Sequence, residues 1–194
     1  MRNLDNRHRL AKETSMSQHW NATVDEIGSV MPGDELIDQP QLNATRSITI
    51  AANPKQVFPW IRQMGFGRAG WYSYDWLDNL GRRSATRINP EWQNVSSGDR
   101  VPGGPIDFTA ITVDEPNVFV LALGQPDADR ARIAFTLAYR LDSTDHETAT
   151  RLVTRVRSRI DLPAGQLAAR YLLGPGDGFM LRKQLTNLRR RAEG

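Results

Sequence analysis

Polar and apolar residues alternate from Thr150 to Ile160, with Leu152, Val156 and Ile160 on one face and Arg151, Arg155, Arg157 and Arg159 on the other. Period two over this length predicts a half-buried β-strand. Ala131 to Leu141 alternates in the same way, placing Ile133, Phe135, Leu137, Tyr139 and Leu141 together. The polar run DSTDHE between the two predicts a hairpin loop. Phe108 to Asp114 and Val118 to Leu123, divided by a Glu-Pro-Asn turn, predict a second hairpin. A first strand is expected from Ala44 to Ala51, with Ile48 and Ile50 on one face and Thr45, Ser47 and Thr49 on the other.

Helical signals bracket these strands. Thr23-Val24-Asp25-Glu26 has the form of a capping box, so a short helix should start there and stop before Pro32-Gly33. PGDELIDQP then reads as an extended crossing. Asn53-Pro54 opens a second helix carrying Val57, Trp60, Ile61 and Met64 along one side, with a kink expected at Pro59. Ser73 is expected to cap a helix from Tyr74 to Leu80 that Gly81 ends, and a further turn is expected over Ser84 to Ile88. The C-terminal region predicts helix from Ala164 to Leu173, a break at Gly174-Pro175-Gly176, and helix again from Asp177 to Ala192 with Leu181, Leu185 and Leu188 at helical spacing. Residues 1–18 show no period and are expected to be a flexible polar tail, leaving 19–194 as one domain. Strands following one another, with helices at either end, predict an α+β fold and not alternating βαβ units.

A chain of 194 residues can bury one core without staples, and the absence of cysteine excludes disulfides, thiolate metal sites and cysteine nucleophiles. The net charge is +3, and the positive charge is nearly all arginine. No early apolar run resembles a signal segment, which leads to a cytoplasmic expectation.

GFGRAGWYSYDWLDNLG, residues 65–81, contains the spacing G-x-G-x-x-G at Gly65, Gly67 and Gly70. Phosphate binding needs a strand before such glycines and a helix after them. Here a helix precedes them and Trp-Tyr-Ser-Tyr follows, so the glycines are read as a tight turn beneath bulky rings. Trp60, Trp71, Trp76 and Trp92 fall close together in this region. They either plug a helical layer onto the sheet or line a pocket beneath it.

PGDEL (32–36), QMGFGRAGWYSYDWLDNLG (63–81), PEWQNVSSGDRVP (90–102) and the closing LRRRAE resemble bacterial members of the SRPBCC superfamily, the START-like, helix-grip proteins related to polyketide cyclases. The similarity runs from about Trp20 to Glu193. It implies a curved antiparallel sheet gripping a long C-terminal helix, with two or three short helices after the first strand and a ligand cavity between sheet and helix. The break at Gly174-Pro175-Gly176 departs from that layout.

The expected function is binding of a small, largely apolar, lipid- or polyketide-like molecule in that cavity. Trp71, Tyr72, Trp76, Trp92, Phe135, Tyr139, Thr154 and Ser158 are the candidate ligand-binding residues. Thr150, Thr154 and Ser158 place small hydroxyls on the inward face of their strand, where they either orient a ligand or bond to backbone and buried water. A cyclase or dehydratase using the same cavity is the alternative, and it would need an acid–base pair, with Glu91 or Asp99 as the nearest carboxylates. His8, His19 and His146 have no partners at ligand spacing, so no metal is expected, and no cofactor. Asp75 and Asp78 share a helix face, and Asp75 is read as a first-turn carboxylate opposing the dipole. The arginine stripe, with Arg132 and Arg140 beside it and Arg182, Lys183, Arg189, Arg190 and Arg191 on the last helix, is read as solvating its face. Peripheral membrane contact through it is a further alternative, and no specific nucleic-acid binding is expected.

Overall fold

A computed structural model describes residues 19–123, 133–144, 148–160 and 174–194, with side chains in the last stretch from residue 179. The expected tail, the helix Ala164 to Leu173, Arg132, His8 and His146 lie outside the described residues.

The elements run α1 (Val24–Gly28), β1 (Leu42–Ile50), α2 (Pro54–Arg62), α3 (Asp75–Asp78), β2 (Arg100–Val101), β3 (Phe108–Asp114), β4 (Val118–Leu123), β5 (Ile133–Thr144), β6 (Ala149–Ile160) and α4 (Gly174–Glu193), with 3-10 turns at Asp34–Leu36 and Pro90–Trp92. All six strands join one antiparallel sheet in the order β1-β6-β5-β4-β3-β2. The sheet curves around α4, whose Leu181, Leu185 and Leu188 are buried against it together with Val57 and Ile61 of α2. This is an α+β helix-grip fold. Each of those leucines contributes roughly 1.5–3 kcal/mol by leaving water.

Local chemistry explains the boundaries. Thr23 and Glu26 form the reciprocal capping box at α1, and Asn53 and Gln56 form another at α2. The β5–β6 pairing extends to Thr144 opposite Ala149, so the strands run further into DSTDHE than the polar composition suggests. PGDEL is a 3-10 turn rather than an extended crossing, because Asp34 Oδ2 accepts the Met31 amide and closes the chain locally. No helix forms over Ser84 to Ile88. The Ser84 hydroxyl is committed to Asp75 Oδ1 at 2.5 Å, and the Ala85 amide donates to the Ala69 carbonyl, which hold this stretch away from helical geometry. Ser73 does not cap α3: Tyr74 is the N-cap, with no side-chain hydrogen bond. Gly174-Pro175-Gly176 forms the first turn of α4 instead of a break before Asp177. Proline costs little there, since first-turn amides have no acceptor within the helix.

The arginine stripe requires the largest correction. Its side chains do not solvate the sheet's outer face; they clasp residues 21–38, which lie across it. Arg155, 3 % exposed, donates to Thr45 Oγ1, to the carbonyls of Glu26, Ile27 and Ser29, and to Asp34 Oδ2 at 2.6 Å. Arg157 reaches Asp34 Oδ1 and the Ile37 carbonyl, and Arg151 grips both oxygens of Glu26. Met31, Val120, Ala138 and Val153 form a small second core nearby. The guanidiniums can saturate many carbonyls because each carries five N–H donors.

Burial pushes the Glu26 carboxyl up, but the Arg151 guanidinium, the Thr23 amide and the Ser47 hydroxyl outweigh it and hold it at about 2. A carboxylate with a depressed folded pKa stabilises fully above its unfolded value, ~4.3, and loses that contribution as pH falls through the folded one. Stability should therefore drop by about 2 kcal/mol from Glu26 between pH 5 and 2, allowing for its partial exposure. Urea unfolding across that range checks this, and Glu26→Gln should flatten the acid limb.

Candidate functional site

The antiparallel register aligns side chains in rows across the inner face. Leu42, Ser158, Phe135 and Leu123 form one row, and Ala44, Val156, Leu137 and Leu121 the next. A third row holds Arg46, Thr154, Tyr139 and Phe119. Helix α4 lies over these rows and adds one polar side chain among its leucines. Gln184 Oε1 accepts from the Tyr139 hydroxyl at 2.8 Å, while its Nε2 donates to the Trp71 carbonyl at 2.9 Å. Asn187 donates to the Tyr72 carbonyl at 2.7 Å, so α4 fixes the backbone of residues 71–72 directly.

That backbone arrives by way of the glycines. Gly65 and Gly70 exchange two backbone hydrogen bonds, 3.2 and 3.0 Å, in an isolated antiparallel bridge. Both have positive φ, as does Gly67. The G-x-G-x-x-G stretch is thus a tight hairpin leaving α2, with its amides turned on themselves. It delivers Trp71 to the inner space, where its ring packs edge-on against Phe108 (5.4 Å), which in turn packs against Phe135 (6.0 Å).

The structure brings Trp71, Phe135, Tyr139, Thr154 and Ser158 to one interior. Of the three inward hydroxyls, Thr150 donates to the Ala52 carbonyl at 2.6 Å and is satisfied. Thr154 Oγ1 and Ser158 Oγ are fully buried and have no hydrogen-bond partner among the described residues. Tyr72 is placed differently. Its ring enters the helical layer beside Trp60, its hydroxyl accepts from Gln63 Nε2 at 2.7 Å, and the Arg191 guanidinium lies 4.7 Å from the ring centroid. Burial pushes its phenol well above the ordinary value, although Gln63, Arg191 and Arg68 oppose this. Trp92 is half-buried at the edge of the main core, with its carbonyl accepting from Arg68, and Trp76 stands 71 % exposed on α3.

Glu91 and Asp99, the nearest expected carboxylates, are exposed: Glu91 sits on the Pro90–Trp92 turn, and Asp99 caps the Ser96 amide. Neither joins the inner rows. Burial first, and then the charge of Asp75, raise the Asp78 carboxyl to about 6, but α3 holds this pair with Ser84 on the helical side. His19 accepts the Thr45 amide, and no group of metal-ligating side chains occurs among the described residues.

Three residues of this interior escaped sequence reasoning. Phe108 opens a strand read only for its boundaries. Gln184 interrupts the leucine stripe of α4. Arg46 has the parity of Ile48 and Ile50 and so belongs inside, a signal present in the alternation.

No family model matches the sequence, and no curated protein does. Solved structures are similar at the level of the fold. A hypothetical protein of Helicobacter pylori superposes with a TM-score of 0.53 at 9 % identity, over 88 % of this chain and 98 % of that one. The KanY protein gives 0.49 at 11 % identity, over 79 % and 99 % of the two chains. Norcoclaurine synthase from Thalictrum gives 0.43 at 10 % identity, over 78 % and 93 %. No helix among the described residues is long and apolar enough to cross a membrane.

Proposed function

We propose that the protein binds a small, largely apolar molecule between the inner face of the sheet and α4. One observation carries this reading: two fully buried hydroxyls, Thr154 Oγ1 and Ser158 Oγ, lack partners among the described residues, in a setting otherwise lined by Trp71, Phe108, Phe135 and aliphatic side chains. Buried polar groups in folded proteins are nearly always hydrogen-bonded, and leaving one unmade costs roughly 1–3 kcal/mol. A few orienting polar groups on an apolar lining is the composition of small-molecule sites.

Native mass spectrometry of the purified protein, followed by organic extraction, tests for a retained ligand. Titration of tryptophan fluorescence then reads binding through Trp71. An empty protein whose fluorescence ignores a broad apolar panel would sink the proposal. Ser158→Leu separates the alternatives independently. If ligand space adjoins the hydroxyl, the variant should bind at least tenfold more weakly with its melting temperature kept. Overpacking of a filled core would instead cost about 1–3 kcal/mol.

A further inference from the structure

The four-residue helix α3 is turned inside out. In a solvated helical turn the polar side chains face water and the apolar ones face the core. Here Asp75 Oδ1 accepts from the buried Ser84 hydroxyl, and both carboxylate oxygens of Asp78 are buried. Asn79 is buried as well, its Nδ2 donating to the Arg82 carbonyl. Trp76, Leu77 and Leu80 stand outside, 71, 52 and 77 % exposed. Phe179 of α4, 66 % exposed, joins them: its ring stacks on Tyr74, the N-cap of α3, with centroids 5.5 Å apart. Stability gains nothing from this arrangement, which leaves large apolar side chains in water and takes carboxylates out of it.

Positive charge borders these side chains. Arg82, Arg83 and Arg87 follow them in the chain with no acidic residue before Glu91, and Lys183 lies one helical turn from Phe179 on the same side of α4. All four are exposed, and their side chains have no hydrogen-bond or ion-pair partner among the described residues. Arg151, Arg155 and Arg157, by contrast, are spent on residues 21–38.

The geometry selects the kind of partner. A peptide strand or helix is received by a sheet edge or a groove, whereas these side chains project into solvent. A second copy would set the same cations against themselves. An anionic bilayer meets both features, because its interface admits projecting aromatic and aliphatic side chains and attracts the bordering charge. The backbone of the turn also suits that setting. The amides of Leu77, Asp78, Asn79 and Gly81 donate to the carbonyls of Tyr74 and Asp75, so none is left unpaired on leaving water. We infer that α3 and Phe179 form a docking surface for an anionic lipid bilayer, with Trp76, Leu77, Leu80 and Phe179 entering the interface and Arg82, Arg83 and Lys183 meeting the headgroups. This surface is separate from the interior and does not rest on a ligand being held there.

The test is co-sedimentation of the purified protein with vesicles of phosphatidylcholine alone and of phosphatidylcholine and phosphatidylglycerol in equal parts. Partition onto the mixed vesicles should be about tenfold stronger or more, and should weaken as salt rises. Trp76→Ser/Leu80→Ser should lower it about tenfold or more with the melting temperature kept, since both side chains are exposed. Arg82→Gln/Arg83→Gln should lower it on mixed vesicles by about fivefold per arginine and leave neutral vesicles unaffected. Val24→Ser/Val30→Ser, which removes exposed valines from the residues covering the other face of the sheet, should bind as the unsubstituted protein does. Equal partition onto both kinds of vesicle, or onto neither, overturns the inference. Binding that survives Trp76→Ser/Leu80→Ser would place the contact elsewhere and overturn it too. Self-association in sedimentation velocity that this variant abolishes, without vesicle binding, would assign the surface to a second copy in place of a bilayer.

Discussion

Arg155→Ala is expected to lower the unfolding free energy by about 3–5 kcal/mol, the cost of breaking a buried ion pair from one side. The guanidinium satisfies three carbonyls of residues 26–29, the Thr45 hydroxyl and one oxygen of Asp34. Alanine would remove all of these hydrogen bonds at once, although Asp34 Oδ2 would keep the Met31 amide and the Glu26 carbonyl the Ser29 hydroxyl. Lysine would not rescue them, because three donors on a point charge cannot span that arc of acceptors. Arg140→Ala is the matched control on the same sheet face. Its pair with Asp142 is partly exposed and should be worth under about 1 kcal/mol. Urea midpoints at unchanged m-value read both. A loss below about 1 kcal/mol for Arg155→Ala would mean that Arg151, Arg157 and apolar contact hold residues 21–38 to the sheet without it.

Gly70→Ala is expected to cost about 3 kcal/mol, against about 1 kcal/mol for Gly67→Ala. Both glycines have positive φ, +75° and +72°, so both substitutions carry backbone strain. Only Gly70 also lacks room: an added Cβ would stand 2.6 Å from Ser84 Oγ and 3.0 Å from Asn79 Nδ2, whereas at Gly67 it would meet open space. Ser84 cannot step aside without releasing Asp75 and the Tyr72 amide. The difference between the two variants in a thermal melt therefore isolates the clash from the strain. Equal losses would show that the hairpin, and not its packing, sets the requirement for glycine.

The strands were legible because alternation survives translation into structure: the parity of residues 133–141 and 150–160 assigned Phe135, Tyr139, Thr154 and Ser158 to one face. Parity also assigned the arginines to the other face but said nothing of what would cover it. The cover is residues 21–38, a stretch with too little periodicity to announce that it packs on a sheet. Of its carboxylates, Glu26 reads locally as a capping-box residue, which it also is, and Asp34 falls in a stretch read as an extended crossing. Short helices were the least legible elements. Ser73 was expected as a cap and Ser84 as the start of a turn, yet Tyr74 takes the N-cap position and Ser84 is committed to Asp75, as expected where a single turn gains little from its own hydrogen bonds. The aromatic cluster divided for a similar reason. Trp71 and Tyr72 are adjacent but leave the left-handed Tyr72 backbone (φ +57°) in different directions, one inward and one into the helical layer.

The edge position of β1 bears on how the chain is made. Its strand partner is β6, and Thr45 and Arg155, joined across that pair, lie 110 residues apart. On a ribosome adding ~5–20 residues per second, β1 leaves the exit tunnel several seconds before any strand it can pair with. Until β6 follows, the aliphatic side chains of its inner side, Leu42, Ala44, Ile48 and Ile50, and one hydrogen-bonding edge remain open to other chains. The β3–β4 hairpin and the capped α2 helix can form in the meantime from local contacts, but the grip on α4 closes only when synthesis is nearly finished. Nascent chains halted before Ala149 should therefore depend on chaperones, whereas released full-length chains should not.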